Sequence, residues 1–145
     1  MKFSRREISQ VKVASLNWCG DTLVDWVRGG IVFHLDGRCE DPQVKWAFPF
    51  DASCATPDGR FAVVYERRGT QALLLRDGKP LQQLNRSSYQ ANVYEYPVCI
   101  WTALDGRTLI AHCPEEYCRI DIDDAETGAR LTDGVRKPRD FFHSA

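Results

Sequence analysis

The tripeptide Asp-Gly-Arg occurs three times in this chain, at Asp36-Gly37-Arg38, Asp58-Gly59-Arg60 and Asp105-Gly106-Arg107. It is the clearest of a series of turn signals that also includes Gly20-Asp21, Asp77-Gly78 and Thr127-Gly128. Glycine takes positive φ without steric cost and aspartate bonds nearby backbone, so each pair favours a tight turn. No window of about a dozen residues free of such breakers places apolar side chains at i, i+3, i+4 and i+7, as a helix requires. One helix-like cue remains, the capping-box spacing of Ser4 to Glu7. It fits a solvated lead-in to a first strand as well.

Between the turns lie short β-rich runs: Val11–Trp18, Thr22–Leu35 with an interruption at Gly29-Gly30, Phe61–Glu66, Gln71–Arg76, Tyr96–Leu104, Thr108–Cys113 and Tyr117–Ile122. Gly29-Gly30 has the form of a two-residue hairpin. Many short strands with frequent turns specify an all-β, antiparallel fold.

The runs also repeat. "VASLNWCGDTLVDWVRGGIVFHLDGRC", "FDASCATPDGRFAVVYERRGTQALLLRDGKPLQQL" and "YPVCIWTALDGRTLIAHCPEEYCRIDIDDAETGARL" each read as strand, tight turn, strand, short turn, strand. The second and third continue into a glycine and a short apolar piece, Gly78–Leu84 and Gly128–Leu131. Gly20 to Gly59 spans 39 residues and Gly59 to Gly106 spans 47, the length of one four-stranded propeller blade. Asp58-Gly59 and Asp105-Gly106 are expected between first and second strands. Asp36-Gly37 falls after a third strand, out of phase with them.

The phrases Thr56-Pro57-Asp58-Gly59-Arg60 and Gly78-Lys79-Pro80-Leu81, with Thr127-Gly128-Ala129-Arg130-Leu131 in the third repeat, resemble those of a divergent WD-repeat-like β-propeller. The resemblance covers roughly residues 11–132. It implies a partial propeller within one domain, 1–145, with repeats near 11–48, 49–92 and 93–132 and a tail at 133–145. Arg76-Asp77 and Ile122-Asp123 stand where the family has Trp-Asp, so the resemblance implies a divergent, bacterial propeller-like family as the expectation. Closed propellers have about four to eight blades, and this chain supplies about three. Two copies could form a ring as a homodimer, the chain could be part of a longer or split propeller, or the array could stay open and be capped by the tail, which ends near Phe141-Phe142.

Composition restricts function more than it identifies it. Net charge is -1, and lysines and arginines are spread along the chain without a basic block, so no nucleic-acid footprint is expected. The N-terminus lacks an apolar signal region and no run is long enough to span a bilayer. A soluble cytoplasmic protein with no membrane partner is expected, its cysteines (19, 39, 54, 99, 113 and 118) reduced and packed as small hydrophobes.

Candidate chemistry is sparse. His112, Cys113 and Cys118, with Glu115 and Glu116 between them, are the best metal-ligand grouping, but a zinc site needs a second ligand pair that is missing. A hairpin loop is the competing reading. The acidic run Asp121–Gly128 lacks the alternating oxygens and sixth-position glycine of an EF-hand loop. His34, His112 and His143 sit in no nucleophile, metalloprotease or P-loop signature. No catalytic, cofactor or metal residue is assigned. Trp18 and Trp101 fall on first strands and are expected in the core. Tyr89, Tyr94 and Tyr96 lie on a connection between repeats, where they could form a contact surface or pack an edge.

The expected function is a non-catalytic protein-interaction module. A bacterial toxin-neutralising (immunity) protein and a ring-completing protein are concrete forms of it. The alternative is a metal-binding protein or enzyme using His112, Cys113 and Cys118.

Overall fold

The computed structural model of the chain describes residues 1–5, 7 and 12–132. The expected strand start at Val11, Arg6 of the capping-box cue, and the tail with Phe141, Phe142 and His143 lie outside the described residues. Within them the fold is all-β, without a helix. It therefore contains no helix long and apolar enough to cross a membrane.

Three antiparallel sheets follow one another along the chain, each in sequential strand order. The first holds β1 (Leu16–Cys19), β2 (Thr22–Asp25), β3 (Ile31–Phe33) and β4 (Cys39–Glu40). The second holds β5 (Ala52–Ala55), β6 (Phe61–Tyr65), β7 (Gln71–Arg76) and β8 (Lys79–Asn85). The third holds β9 (Val98–Thr102), β10 (Thr108–His112) and β11 (Asp121–Asp124). Its expected fourth strand is reduced to a single bridge, Asp123 to Arg130, with Leu131 N–H donating to Ile122 O at 2.8 Å. The first strands of neighbouring sheets touch, β1 with β5 and β5 with β9. The sheets thus fan outward from their first strands, as in a partial propeller. Pro80 sits on the outermost strand of its sheet, where a missing N–H costs no ladder bond.

Alternation along each strand builds two cores, one on either side of the second sheet. Val24 and Trp26 of the first sheet's region meet Ala62, Val64 and Leu75. Phe61, Val63, Leu74 and Leu84 meet Ile100 and Ile110 of the third. Val63 and Val64 point to opposite faces and are both fully buried. Burial of a side chain of this size contributes about 1.5–3 kcal/mol.

The three first hairpins differ in length. Two residues separate the paired Cys19 and Thr22, six separate Ala55 and Ala62, and five separate Thr102 and Thr108. The odd length coincides with a change of parity. Val24 and Val63, each four residues beyond the turn glycine, face the following sheet, whereas Ile110, at the same offset from Gly106, faces the preceding one. A one-residue slip moves every side chain of a strand to the other face.

The turns themselves are braced. Thr56, fully buried, bonds the Asp58 carboxylate at 2.7 Å and accepts Phe61 N–H at 3.2 Å. The Thr56 hydroxyl, then the Arg60 backbone amide, hold the Asp58 carboxyl below its ordinary range. Between the first and second sheets, Gly20 N–H donates to Pro57 O at 2.9 Å and the Cys19 thiol to Asp58 O at 3.2 Å. Ser53 Oγ bonds both Ser15 Oγ and Asn17 Nδ2 at 2.7 Å.

Two expectations are corrected. Gly29-Gly30 is not a two-residue hairpin: β2 ends at Asp25 and β3 starts at Ile31, so Trp26 to Gly30 form a longer turn. Trp26 turns into the core, and the Asp25 carboxylate accepts Arg28 N–H at 3.2 Å, which closes the wider loop. Trp18 is not a core residue. It pairs with Leu23 on the face turned away from the second sheet and is 59% exposed.

Gly59 has φ +71°, and a Cβ built there would run into the Cys19 sulfur. Gly59→Ala is expected to destabilise the chain by about 1–3 kcal/mol in urea unfolding. Combining it with Cys19→Ala should recover the crowding part and leave the conformational part. An equal loss in both backgrounds would show that this seam is not tight.

Candidate interaction surface

The residues singled out as a metal grouping do not converge. His112 closes β10 with its ring buried, and Nε2 lies 2.8 Å from Asp123 Oδ2. Its Nδ1 is buried without a hydrogen-bond partner among the described residues. Cys113 is buried and Cys118 exposed. Among the described residues no group of three His, Cys, Asp or Glu is placed to hold a metal ion. The other described histidine, His34, just past the end of β3, likewise faces a carboxylate, with Nε2 2.9 Å from Glu40 Oε2.

The acidic run is structural. Arg130 reaches Asp123 Oδ1 at 3.1 Å, Glu115 Oε1 at 3.1 Å and Asp121 Oδ2 at 3.4 Å. Arg119 lies 3.5 Å from Asp121 Oδ1. Asp123 and Asp121 are buried carboxylates, which need such partners. Asp124 instead accepts Glu126 N–H at 2.9 Å and Thr127 N–H at 3.0 Å, closing the turn. These residues fasten the last strand of the third sheet and leave little free coordination capacity.

The tyrosines of the connection between second and third sheets divide. Tyr96 is 3% exposed and joins the core, its ring 5.7 Å from that of Tyr65. Tyr89 and Tyr94 are 57% and 59% exposed. Tyr117, from the β10–β11 loop, joins them at 52% exposure, with its ring centroid 4.9 Å from Tyr89. Pro97, Glu95, Cys113 and Arg86 complete a hollow of about 260 Å³.

Arg86, immediately after β8, sets this geometry. Its Nε donates to Gly69 O at 2.7 Å, and Nη2 donates to Ala91 O at 2.9 Å and Tyr94 O at 2.8 Å. Nη1 donates to Glu95 O at 3.3 Å, and the guanidinium lies 5.0 Å from the Tyr96 ring centroid. A planar fork with fixed donors suits this spread of carbonyls better than an ammonium does. The chain from 91 to 95 is thereby tied to the β6–β7 turn, with Tyr96 N–H adding a 2.7 Å bond to Arg67 O. Burial pushes the Tyr96 hydroxyl's pKa well up, against the opposing effect of Arg86.

A larger hollow of about 400 Å³ lies under the 41–50 connection. Its aromatic walls are already engaged: Trp46 and Phe50 pack on the first core, and Trp46 Nε1–H donates to Trp26 O at 2.8 Å. It serves the packing of that connection. The tyrosine hollow differs in that its rings remain open to solvent.

Arg86 and Tyr117 carried no functional expectation from sequence. Tyr117 lay inside the segment read for metal ligands, 28 residues beyond Tyr89, and no local pattern announces their pairing.

No protein-family model matches the chain, and no curated protein matches it. Two solved structures are similar. One is "KlHsv2 with loop 6CD replaced by a Gly-Ser linker", at 12% identity and a TM-score of 0.49, covering 88% of this chain and 44% of that one. The other is "Structure of Kluyveromyces lactis Hsv2p", at 13% identity and a TM-score of 0.46, covering 89% and 42%. The chain spans less than half the length of either.

Two measurements probe this region. Arg86→Lys should cost about 2 kcal/mol or more, since several charge-assisted bonds to carbonyls are lost; an unchanged urea midpoint would show that the clamp is dispensable. Thiol labelling under native conditions should modify Cys118, Cys99 and Cys39 first, all three exposed. Cys113 and Cys54 should lag, because burial raises both thiol pKa values, that of Cys54 to about 12. Cys113 reacting as fast as Cys118 would mean that the floor of the hollow opens in solution.

Proposed function

We propose that the chain is a non-catalytic protein-interaction module whose contact surface centres on the tyrosine hollow. One observation carries this reading: three tyrosines, each more than half exposed, surround a floor immobilised by Arg86. Tyrosine offers a large amphipathic contact area at low entropic cost and is enriched in binding surfaces. A rigid surface loses less freedom on association. The two described histidines each face a carboxylate, which supports a structural role for them. A toxin-neutralising protein of the cytoplasm is a concrete form of this proposal, since it needs only a firm surface complementary to its target.

The test pairs capture with affinity. A partner recovered by the wild-type chain is purified and titrated against Tyr89→Ala/Tyr117→Ala, after confirming that the variant unfolds at the wild-type temperature. Loss of two central aromatic anchors should weaken binding by about 2 kcal/mol or more. Equal affinity for both proteins would place the contact elsewhere and overturn the assignment.

A further inference from the structure

The tyrosine hollow is closed to one common kind of guest by its own hydrogen bonds. An extended peptide that joins a sheet edge needs free N–H and C=O groups to pair with. Along the connection that walls the hollow those groups are spent. Ala91 N–H donates to Ser88 O at 3.2 Å, and the Val93 and Tyr94 amides both donate to Gln90 O at 3.0 Å. Arg86 takes the carbonyls of Ala91, Tyr94 and Glu95, and Arg68 Nη1 donates to Val93 O at 3.3 Å. An added strand has little left to pair with there.

What the hollow offers is rings and hydroxyls. The Tyr89 and Tyr117 rings stand 4.9 Å apart at 39° to one another, an open wedge rather than a flat stack. Tyr94 and Pro97 line the same space, of about 260 Å³. Each tyrosine carries a hydroxyl able to donate one hydrogen bond. The two charges of the lining, Arg86 and Glu95, are opposite in sign. Both are already engaged, Arg86 with its carbonyls and Glu95 with Arg67 Nε at 3.4 Å. A charged guest gains little from such a lining, which is matched to a neutral one.

We propose that this hollow binds a proline-rich peptide in the polyproline II conformation, an inference that rests on reading the hollow as the contact surface. The match is chemical. The proline ring is apolar and neutral and packs against aromatic walls. Its peptide unit has a carbonyl but no N–H, so it needs a donor and nothing else. Tyrosine supplies that donor at the tip of an apolar body. A polyproline II chain makes no internal hydrogen bonds, which leaves its carbonyls open to such donors. It is also ordered before it binds, and Arg86 has ordered the floor, so little freedom is lost on either side. A helical guest satisfies its own carbonyls and would leave the hydroxyls unused.

The test titrates the full-length chain with a nine-residue polyproline peptide and with a glycine-serine peptide of the same length, following the tyrosine ring signals by NMR. Saturable movement of the Tyr89, Tyr94 and Tyr117 signals with polyproline alone, Tyr65 staying in place, is the expected result. Tyr89→Phe/Tyr117→Phe keeps the rings and removes two donors, and should bind the peptide roughly tenfold more weakly. Tyr89→Ala/Tyr117→Ala, at an unchanged melting temperature, should lose it altogether. No saturable movement at millimolar peptide would overturn the proposal. So would equal binding of the two peptides, or full affinity in the phenylalanine variant, since the hydroxyls would then read nothing. A protein partner that binds the alanine variant weakly but is not displaced by polyproline would overturn this ligand and leave the contact surface standing.

Discussion

The burial of the second sheet on both faces is the constraint around which the other sheets are arranged. Val63 and Val64 are adjacent in sequence, point in opposite directions, and are both fully buried. A strand in that situation needs a layer on each side. The first sheet supplies one through Val24, and the third supplies the other through Ile110. The contacts between first strands then follow from geometry, because three layers packed in series bring β1, β5 and β9 together at one edge. The polar seam at Ser53 and the Cys19–Asp58 bond fix the angle at which the first layer approaches.

The same arrangement locates the tyrosine hollow. The chain must pass from the outer edge of the second sheet at Asn85 to the first strand of the third at Val98. A passage of that length over the surface would carry many unpaired backbone groups. Arg86 takes up carbonyls of Ala91, Tyr94 and Glu95 and ties them to Gly69. What remains on the outside is a set of rings held in place by a clamp beneath them. Tyr96, one step further, is already core.

Much of this was legible in the sequence. Asp58-Gly59 and Asp105-Gly106 join first to second strands as their turn chemistry requires, and Asp36-Gly37 and Asp77-Gly78 join third to fourth. The all-β class followed from the same turns. Less legible were features set by long-range packing. Trp18 has the residue type of a core position, yet its register with Leu23 turns it outward. The parity of Ile110 depends on one residue fewer in a hairpin whose Asp-Gly-Arg phrase is identical to that of the second sheet. Tyr117 meets Tyr89 only because the β10–β11 loop folds beside the 86–97 connection. Asp121 and Asp123 fail the pattern of a cation loop, but acidic spacing alone does not reveal the arginines that oppose them.

The hairpin lengths of two, six and five residues have a consequence for which residues each unit offers its neighbour. The first two units present equivalent positions in the same sense, so each can serve as template for the next. The third meets its predecessor with the sense reversed, and its equivalent positions no longer look forward. Its forward face is formed instead by the alternate residues, Trp101, Leu109 and Ile122. A single omitted turn residue thus exchanges which half of a strand's side chains each neighbouring layer receives.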